Sequence, residues 1–334
     1  MLGWGLVGAS TIAREWMIPA INGEAESRVV AVTGGDPDHV ARYASELAIP
    51  RTHPTLEALL TDPEVAIVYV SGTNDRHHGP SIAAAQAGKH VLCEKPLALT
   101  IGDARAMVEA CRVANVVLGT NHHLRNAVTH RALRRLVGEG VIGEPLAARV
   151  FHAVQLPPHL RGWRIDRPEA GGGVTLDITV HDADTLRFVL AAEVVEVTAF
   201  AVGQGMATAG LEDSVMGVMR FDSGVLAQFH DAFTIPHAAT GFEVHGSEGS
   251  LIGRDVMTQR PIGSITLRRD GRDEEIDPGP AENLYARSVR RFNAAVRGAG
   301  PPAATGDDGV RSLAVALAVR ESAATGRAAT VVYG

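Results

Sequence analysis

The 334-residue sequence predicts an α/β protein of two domains, the first built on a parallel sheet and the second on a mainly antiparallel open sheet. Three observations predict it. The chain is longer than one hydrophobic core usually serves, so two domains are expected. Up to residue 121, short β-branched runs alternate with amphipathic or Ala-rich stretches, the rhythm of βαβ units. Beyond it, strands follow one another with turn residues between them, the rhythm of hairpins.

In the first domain, residues 1–121, strands are expected over 3–7, 28–33, 66–71, 90–93 and 116–119. Gly79-Pro80-Ser81 opens a helix with proline in its first turn, and Gly88 closes it. Thr100 opens another, because its hydroxyl and the acid at Asp103 can satisfy orphan amides. In the second domain, residues 122–334, helices are expected over 127–138 and 177–190, flanking a strand at 146–155 and a loop rich in Pro and Arg. Strands over 194–202, 214–221, 225–233, 242–244 and 264–268 follow, with Asp222-Ser223-Gly224 and Gly246-Ser247-Glu248-Gly249 as turns. Helices over 283–297 and 307–324 finish the chain.

A formal net charge of -7 repels phosphate polymers and anionic lipid, so neither nucleic acid nor a membrane surface is an expected partner. No apolar run approaches the roughly 18 residues of a membrane span. Met1-Leu2-Gly3-Trp4 enters a strand at once, with no basic region or cleavage site ahead of it. Only two cysteines, Cys93 and Cys111, are present, which suits a reducing compartment, and the expectation is the cytoplasm. The 14 histidines invite a metal, but His77-His78 and His122-His123 are adjacent pairs whose side chains diverge, so no metal is expected.

The segment Gly8-Ala9-Ser10-Thr11-Ile12-Ala13 follows a strand and opens a helix, the context of a Rossmann dinucleotide fingerprint. Gly8 makes the turn. Ser10 and Ala13 replace the second and third glycines, and both are small enough to let backbone amides reach a pyrophosphate. A carboxylate about 20 residues past the glycines would hold the ribose hydroxyls of NAD and repel a 2′-phosphate. That position is Thr33, which brings a hydroxyl and no charge, with Asp36 three residues further on and no Arg immediately after. The expected cofactor is NADP(H), with NAD(H) as the alternative.

Three further segments carry a family resemblance: Val70-Ser71-Gly72-Thr73-Asn74-Asp75-Arg76-His77, Gly88-Lys89-His90-Val91-Leu92-Cys93-Glu94-Lys95-Pro96, and Gly171-Gly172-Gly173-Val174-Thr175-Leu176-Asp177-Ile178-Thr179-Val180-His181. With them, nearly the whole chain resembles the glucose-fructose oxidoreductase, inositol dehydrogenase and MocA family. The resemblance implies that Ser71, Thr73, Asn74 and His77 line the cofactor, and that Glu94, Lys95, Asn121, Trp163, Arg164 and Tyr285 surround its nicotinamide half. Gly72 departs from the Thr more usual there, and Asp38-His39 stands where similar reductases carry a basic residue. The implied activity is reduction of the carbonyl of a small sugar. An NAD-dependent glycoside hydrolase and another sugar or polyol dehydrogenase remain open, as do a monomer and a homo-oligomer.

Reducing a carbonyl by hydride needs a proton for the nascent alkoxide and a donor to stabilise it. Lys95 and His181 are the candidates, with Lys95 fixed between a buried-looking strand and Pro96, across a peptide bond expected to be cis. Asp177, four residues before His181 on the expected helix, shares its face and can orient the imidazole or hold a sugar hydroxyl. Gly171-Gly172-Gly173 is expected to let the backbone pass close to a ligand. His122, His123 and His159 are further candidates for sugar hydroxyls.

Overall fold

The computed structural model describes residues 1–334, which form two compact units. The first comprises Met1–His122, Tyr285–Val310 and Gly334, the second His123–Leu284 and Arg311–Tyr333. The first crossing falls one residue beyond the expected boundary. The return of Tyr285–Val310 to the first unit has no counterpart in the linear division expected from the sequence.

In the first unit, β1 (Leu2–Val7) runs into a π-helical turn (Ala13–Met17) that continues as α1 (Ile18–Gly23). Then come β2 (Ser27–Thr33), α2 (Pro37–Glu46), β3 (Arg51–Thr52), α3 (Leu56–Leu60), β4 (Ile67–Val70), α4 (His78–Gln86), β5 (His90–Cys93), α5 (Ile101–Val113) and β6 (Leu118–Thr120). The six strands form one parallel sheet in the order β3-β2-β1-β4-β5-β6. Every residue of β4, Ile67-Val68-Tyr69-Val70, is buried, as a central parallel strand covered on both faces requires. Thr100 caps α5 as expected, its hydroxyl accepting from the Asp103 amide at 3.1 Å.

The second unit contains α6 (Val128–Gly138), β7 (Pro145–Ala153), α7 (Trp163–Asp166), a π-helical turn (Thr175–Thr179) leading into α8 (Val180–Leu190), β8 (Val194–Val202), β9 (Ser214–Phe221), β10 (Leu226–Ala232), β11 (Gly241–Gly246), β12 (Ser250–Arg254), β13 (Ser264–Arg269) and β14 (Arg272–Ile276). Beyond these, α9 (Leu284–Val296) lies in the first unit from Tyr285 on, α10 (Gly306–Thr325) begins in the first unit and ends in the second, and β15 (Ala329–Thr330) completes the sheet.

Nine strands form that sheet in the order β14-β13-β12-β11-β7-β10-β9-β8-β15, antiparallel except where β10 runs parallel to β7. Its inner face carries Val150, Phe229, Met219 and Val197, all buried, and packs on α8. On its outer face Phe200 pairs with Met216, both exposed, so one side of the sheet is open.

In the first unit, α9 seats Phe292 5.6 Å from the ring of Trp4 and against Gly119, where a Cβ would lie 2.9 Å from the Phe292 ring. A glycine in β6 therefore makes the place for this helix. Together Trp4 and Phe292, both at most 1% exposed, explain why a segment so late in the chain belongs to the first core.

Candidate active site

Parallel strands bring their C-terminal ends to one edge, which is where open α/β sheets hold ligands. Gly8 follows β1, Thr33 ends β2, Ser71 follows β4, Glu94 and Lys95 follow β5, and Asn121 follows β6, so residues scattered along the sequence share that edge. Gly8 has φ of +107°, and a Cβ there would lie 3.1 Å from Gly72 N. Only glycine suits both demands. The Ser10 and Ser71 hydroxyls are 2.8 Å apart, and Ser10 Oγ also accepts from the Ala13 amide. The amides of Thr11 and Ile12 open the same helix, where no carbonyl one turn back can take them. This cradle fits a dinucleotide pyrophosphate.

The other residues expected along the cofactor have partners within the protein. Thr33 is 4% exposed, and its carbonyl accepts from Gly8 N at 2.9 Å. Asp36 caps α2, accepting from the amides of Asp38 and His39 at 3.0 and 3.1 Å, so its carboxylate serves the helix start. Asn74 is buried and Thr73 donates its hydroxyl to Asp75. His77 is fully buried, with Nδ1 2.8 Å from Pro96 O and Nε2 3.2 Å from Gly72 O. Its side chain links the β4 loop to the β5 loop, and burial lowers its pKa. The Lys95-Pro96 bond is cis.

Beside Lys95, the buried Glu94 carboxylate accepts from Asn121 Nδ2 at 2.6 Å and from the Tyr69 hydroxyl. Asn121 Oδ1 in turn accepts from Ser288 Oγ on α9 at 2.9 Å. Desolvation raises the Glu94 pKa, while the Tyr69 and Asn121 donors oppose the shift. Tyr285, on the same helix, is fully buried and stacks on Trp16 at 5.2 Å. Its ring thus packs against α1's leading turn.

In the second unit, His181 is 7% exposed and meets the edge of the His123 ring at a centroid distance of 4.8 Å. Asp177 lies in the π-helical turn before α8, and Arg164 Nε stands 3.3 Å from its Oδ2. Arg164 also lies over the Trp163 ring at 4.6 Å, so Trp163, Arg164 and Asp177 form one stacked and ion-paired group. The glycine run acts differently from expectation. A Cβ on Gly172 would lie 2.7 Å from Trp163 O, and one on Gly173 2.6 Å from the Glu212 carboxylate. Those glycines let the backbone pass the protein's own α7 segment and Glu212, which accepts from Thr175 N.

Comparison with known proteins decides what the two halves belong to. Residues 2–122 match an oxidoreductase family with an NAD-binding Rossmann fold, and residues 130–252 match the GFO/IDH/MocA C-terminal domain. Over 331 residues, covering 99% of both chains, the sequence is 58% identical to 1,5-anhydro-D-fructose reductase of Ensifer adhaerens. The chain belongs to the Gfo/Idh/MocA oxidoreductase family. It is also 30% identical over 301 residues, 85% of each chain, to myo-inositol 2-dehydrogenase of Thermotoga maritima. The crystal structure of aldose-aldose oxidoreductase from Caulobacter crescentus, complexed with glycerol, superposes with a TM-score of 0.90 at 26% identity, covering 98% and 99% of the two chains.

For a member of this family, the polar interior around α8 is the feature that sequence reasoning missed. His152 on β7 lies 2.8 Å from Asp182 Oδ1, and its ring centroid is 6.3 Å from that of His181. Asp182 in turn faces Asp231 on β10, and both are fully buried. The available signal was an acid, Asp231, on the same face of the strand Leu226–Ala232 as the apolar Ala227 and Phe229. His122 and His123 are buried, whereas His159 is exposed. No three His, Cys, Asp or Glu side chains converge in a way that could hold a metal ion, and no helix is long and apolar enough to cross a membrane.

Proposed function

We propose that this oxidoreductase uses NADPH to reduce the ketone of 1,5-anhydro-D-fructose to the secondary alcohol of 1,5-anhydro-D-mannitol. The observation that carries the reading is 58% identity across 99% of the chain to a 1,5-anhydro-D-fructose reductase. A bound reduced nicotinamide supplies the hydride. Gly8, Ala9, Ser10, Thr11, Ile12 and Ala13 hold the pyrophosphate, and Ser71 closes the cradle through Ser10. The Lys95 ammonium polarises the carbonyl oxygen, which gains negative charge as the carbon accepts hydride. His181 delivers the proton that completes the hydroxyl group, and in the reverse direction it takes that proton back. Asp177, held by Arg164, accepts a hydrogen bond from a sugar hydroxyl.

The buried free thiols Cys93 and Cys111 suit a reducing compartment, and the proposal places the enzyme in the cytoplasm. The test is initial-rate oxidation of NADPH and NADH with a panel of ketoses, osones and anhydro sugars. Highest kcat/KM for NADPH with 1,5-anhydro-D-fructose is the expected result. A higher value for NADH, or for a different sugar class, overturns the corresponding half of the proposal.

A further inference from the structure

The loop after β2 begins Gly34-Gly35-Asp36 and brings no basic side chain to the place where a ribose 2′ substituent sits in this fold. The structure brings one from elsewhere in the chain. Arg76 ends the short 3-10 turn Asn74–Arg76 that follows β4, two strands away from β2 in the sheet. A Cβ built on Gly35 would lie 3.4 Å from Arg76 Nη1, and one built on Gly72 would lie 3.3 Å from Arg76 Cβ. Gly72 therefore clears the root of the side chain and Gly35 clears its head. The guanidinium crosses the end of β1 and rests beside the first residues after β2.

The charge at its tip is available for a ligand. The Arg76 side chain is 70% exposed, and its one ion-pair neighbour, Asp75, is at the long distance of 4.0 Å while also accepting from Thr73. Asp36, the acid that could have competed for the ribose, has its carboxylate engaged by the amides of Asp38 and His39. His39 is tied back as well, with Nε2 3.1 Å from Ala9 O. Arg42 is the other arginine whose charge reaches Asp36.

We propose that Arg76 is the 2′-phosphate clamp of this enzyme, a guanidinium supplied from the β4 loop that recognises the adenosine 2′-phosphomonoester of NADP(H). A planar guanidinium pairs with a phosphate through two parallel N–H donors, which suits this geometry. The assignment rests on the NADPH reading above.

Calorimetric titration of the full-length wild type and of Arg76→Leu, with adenosine 2′,5′-bisphosphate and with adenosine 5′-monophosphate, tests it. The two nucleotides differ only in the 2′-phosphate. Wild type should bind the bisphosphate more tightly, and Arg76→Leu should weaken that binding by about tenfold or more while changing monophosphate binding less than about twofold. Arg76→Lys should recover part of the loss. If Arg76→Leu weakens both ligands equally, the side chain serves the adenine, and if it weakens neither, it serves no ligand; each result overturns the clamp. If wild type binds the bisphosphate no better than the monophosphate, the NADPH reading itself fails.

Discussion

The carboxyl groups of Asp182 on α8 and Asp231 on β10 face each other in the closed interior of the second unit, with no solvent exposure on either residue. His152 Nδ1 stands 2.8 Å from Asp182 Oδ1 and the Thr179 hydroxyl lies beside Asp231, which leaves the two carboxyl groups facing each other. A proton shared between them resolves the repulsion. Desolvation lifts the Asp182 pKa to about 7, and desolvation together with the Asp182 charge lifts that of Asp231.

The sign of the pH dependence follows. A carboxyl group with a raised folded pKa binds more protons folded than unfolded, so its contribution is present at low pH and is lost as pH rises through about 4 to 7. Buried neutral histidines such as His130, whose pKa falls to about 3, act in the opposite direction, so the pair is isolated by a variant. Asp231→Asn should be less sensitive than wild type to raising the pH from about 5 to about 8 in urea unfolding, by ~1 kcal/mol or more. Parallel stability curves for the two proteins would remove the shared proton.

The ion pair of Arg125 with Asp184 is bidentate at 2.7 and 2.8 Å, and both residues are buried. Deleting one partner strands a buried charge. Asp184→Ala should cost about 3–5 kcal/mol, read as a lower denaturant midpoint. A loss under ~1 kcal/mol would mean that water reaches the guanidinium.

Much of the fold was legible, and the gaps have physical reasons. Apolar runs such as Ile67–Val70 announced the parallel sheet because both faces are covered. The edge strand Arg272–Ile276 carries almost no apolar pattern, since four of its five residues are exposed, and it went unread, as did Ser250–Arg254. The destination of α9 depends on Phe292 meeting Trp4, a contact between distant positions that no local pattern encodes. For the candidate site, the strand ends that bring Gly8, Glu94 and Lys95 to one edge were legible, Gly8 from its turn and Glu94 and Lys95 with the help of the family resemblance. By contrast, the Asp182–Asp231 pair, the Arg76 crossing and the burial of His77 arise from tertiary packing of segments remote in sequence.

Gly8→Ala should impair nucleotide binding and stability together, because an alanine at φ of +107° is strained and meets the Gly72 backbone. The expected stability loss is about 1–3 kcal/mol. Calorimetry that found wild-type affinity for NADPH in this variant would separate the turn from the cofactor cradle.

Lys95→Ala and His181→Ala should each lower kcat by about 100-fold to 10,000-fold while shifting the NADPH dissociation constant less than a few-fold. Stopped-flow single turnovers with preloaded cofactor make the separation. Wild-type turnover in either variant would remove that residue from the chemistry.

The central claim is that hydride passes from a nicotinamide to a sugar carbonyl on this chain. It is tested most directly by incubating the enzyme with 1,5-anhydro-D-fructose and NADPH deuterated at both C4 positions, and reading the product by NMR. The account predicts 1,5-anhydro-D-mannitol with deuterium on the former carbonyl carbon, one per NADPH consumed. Unlabelled product, or no reduced sugar at all, would contradict it.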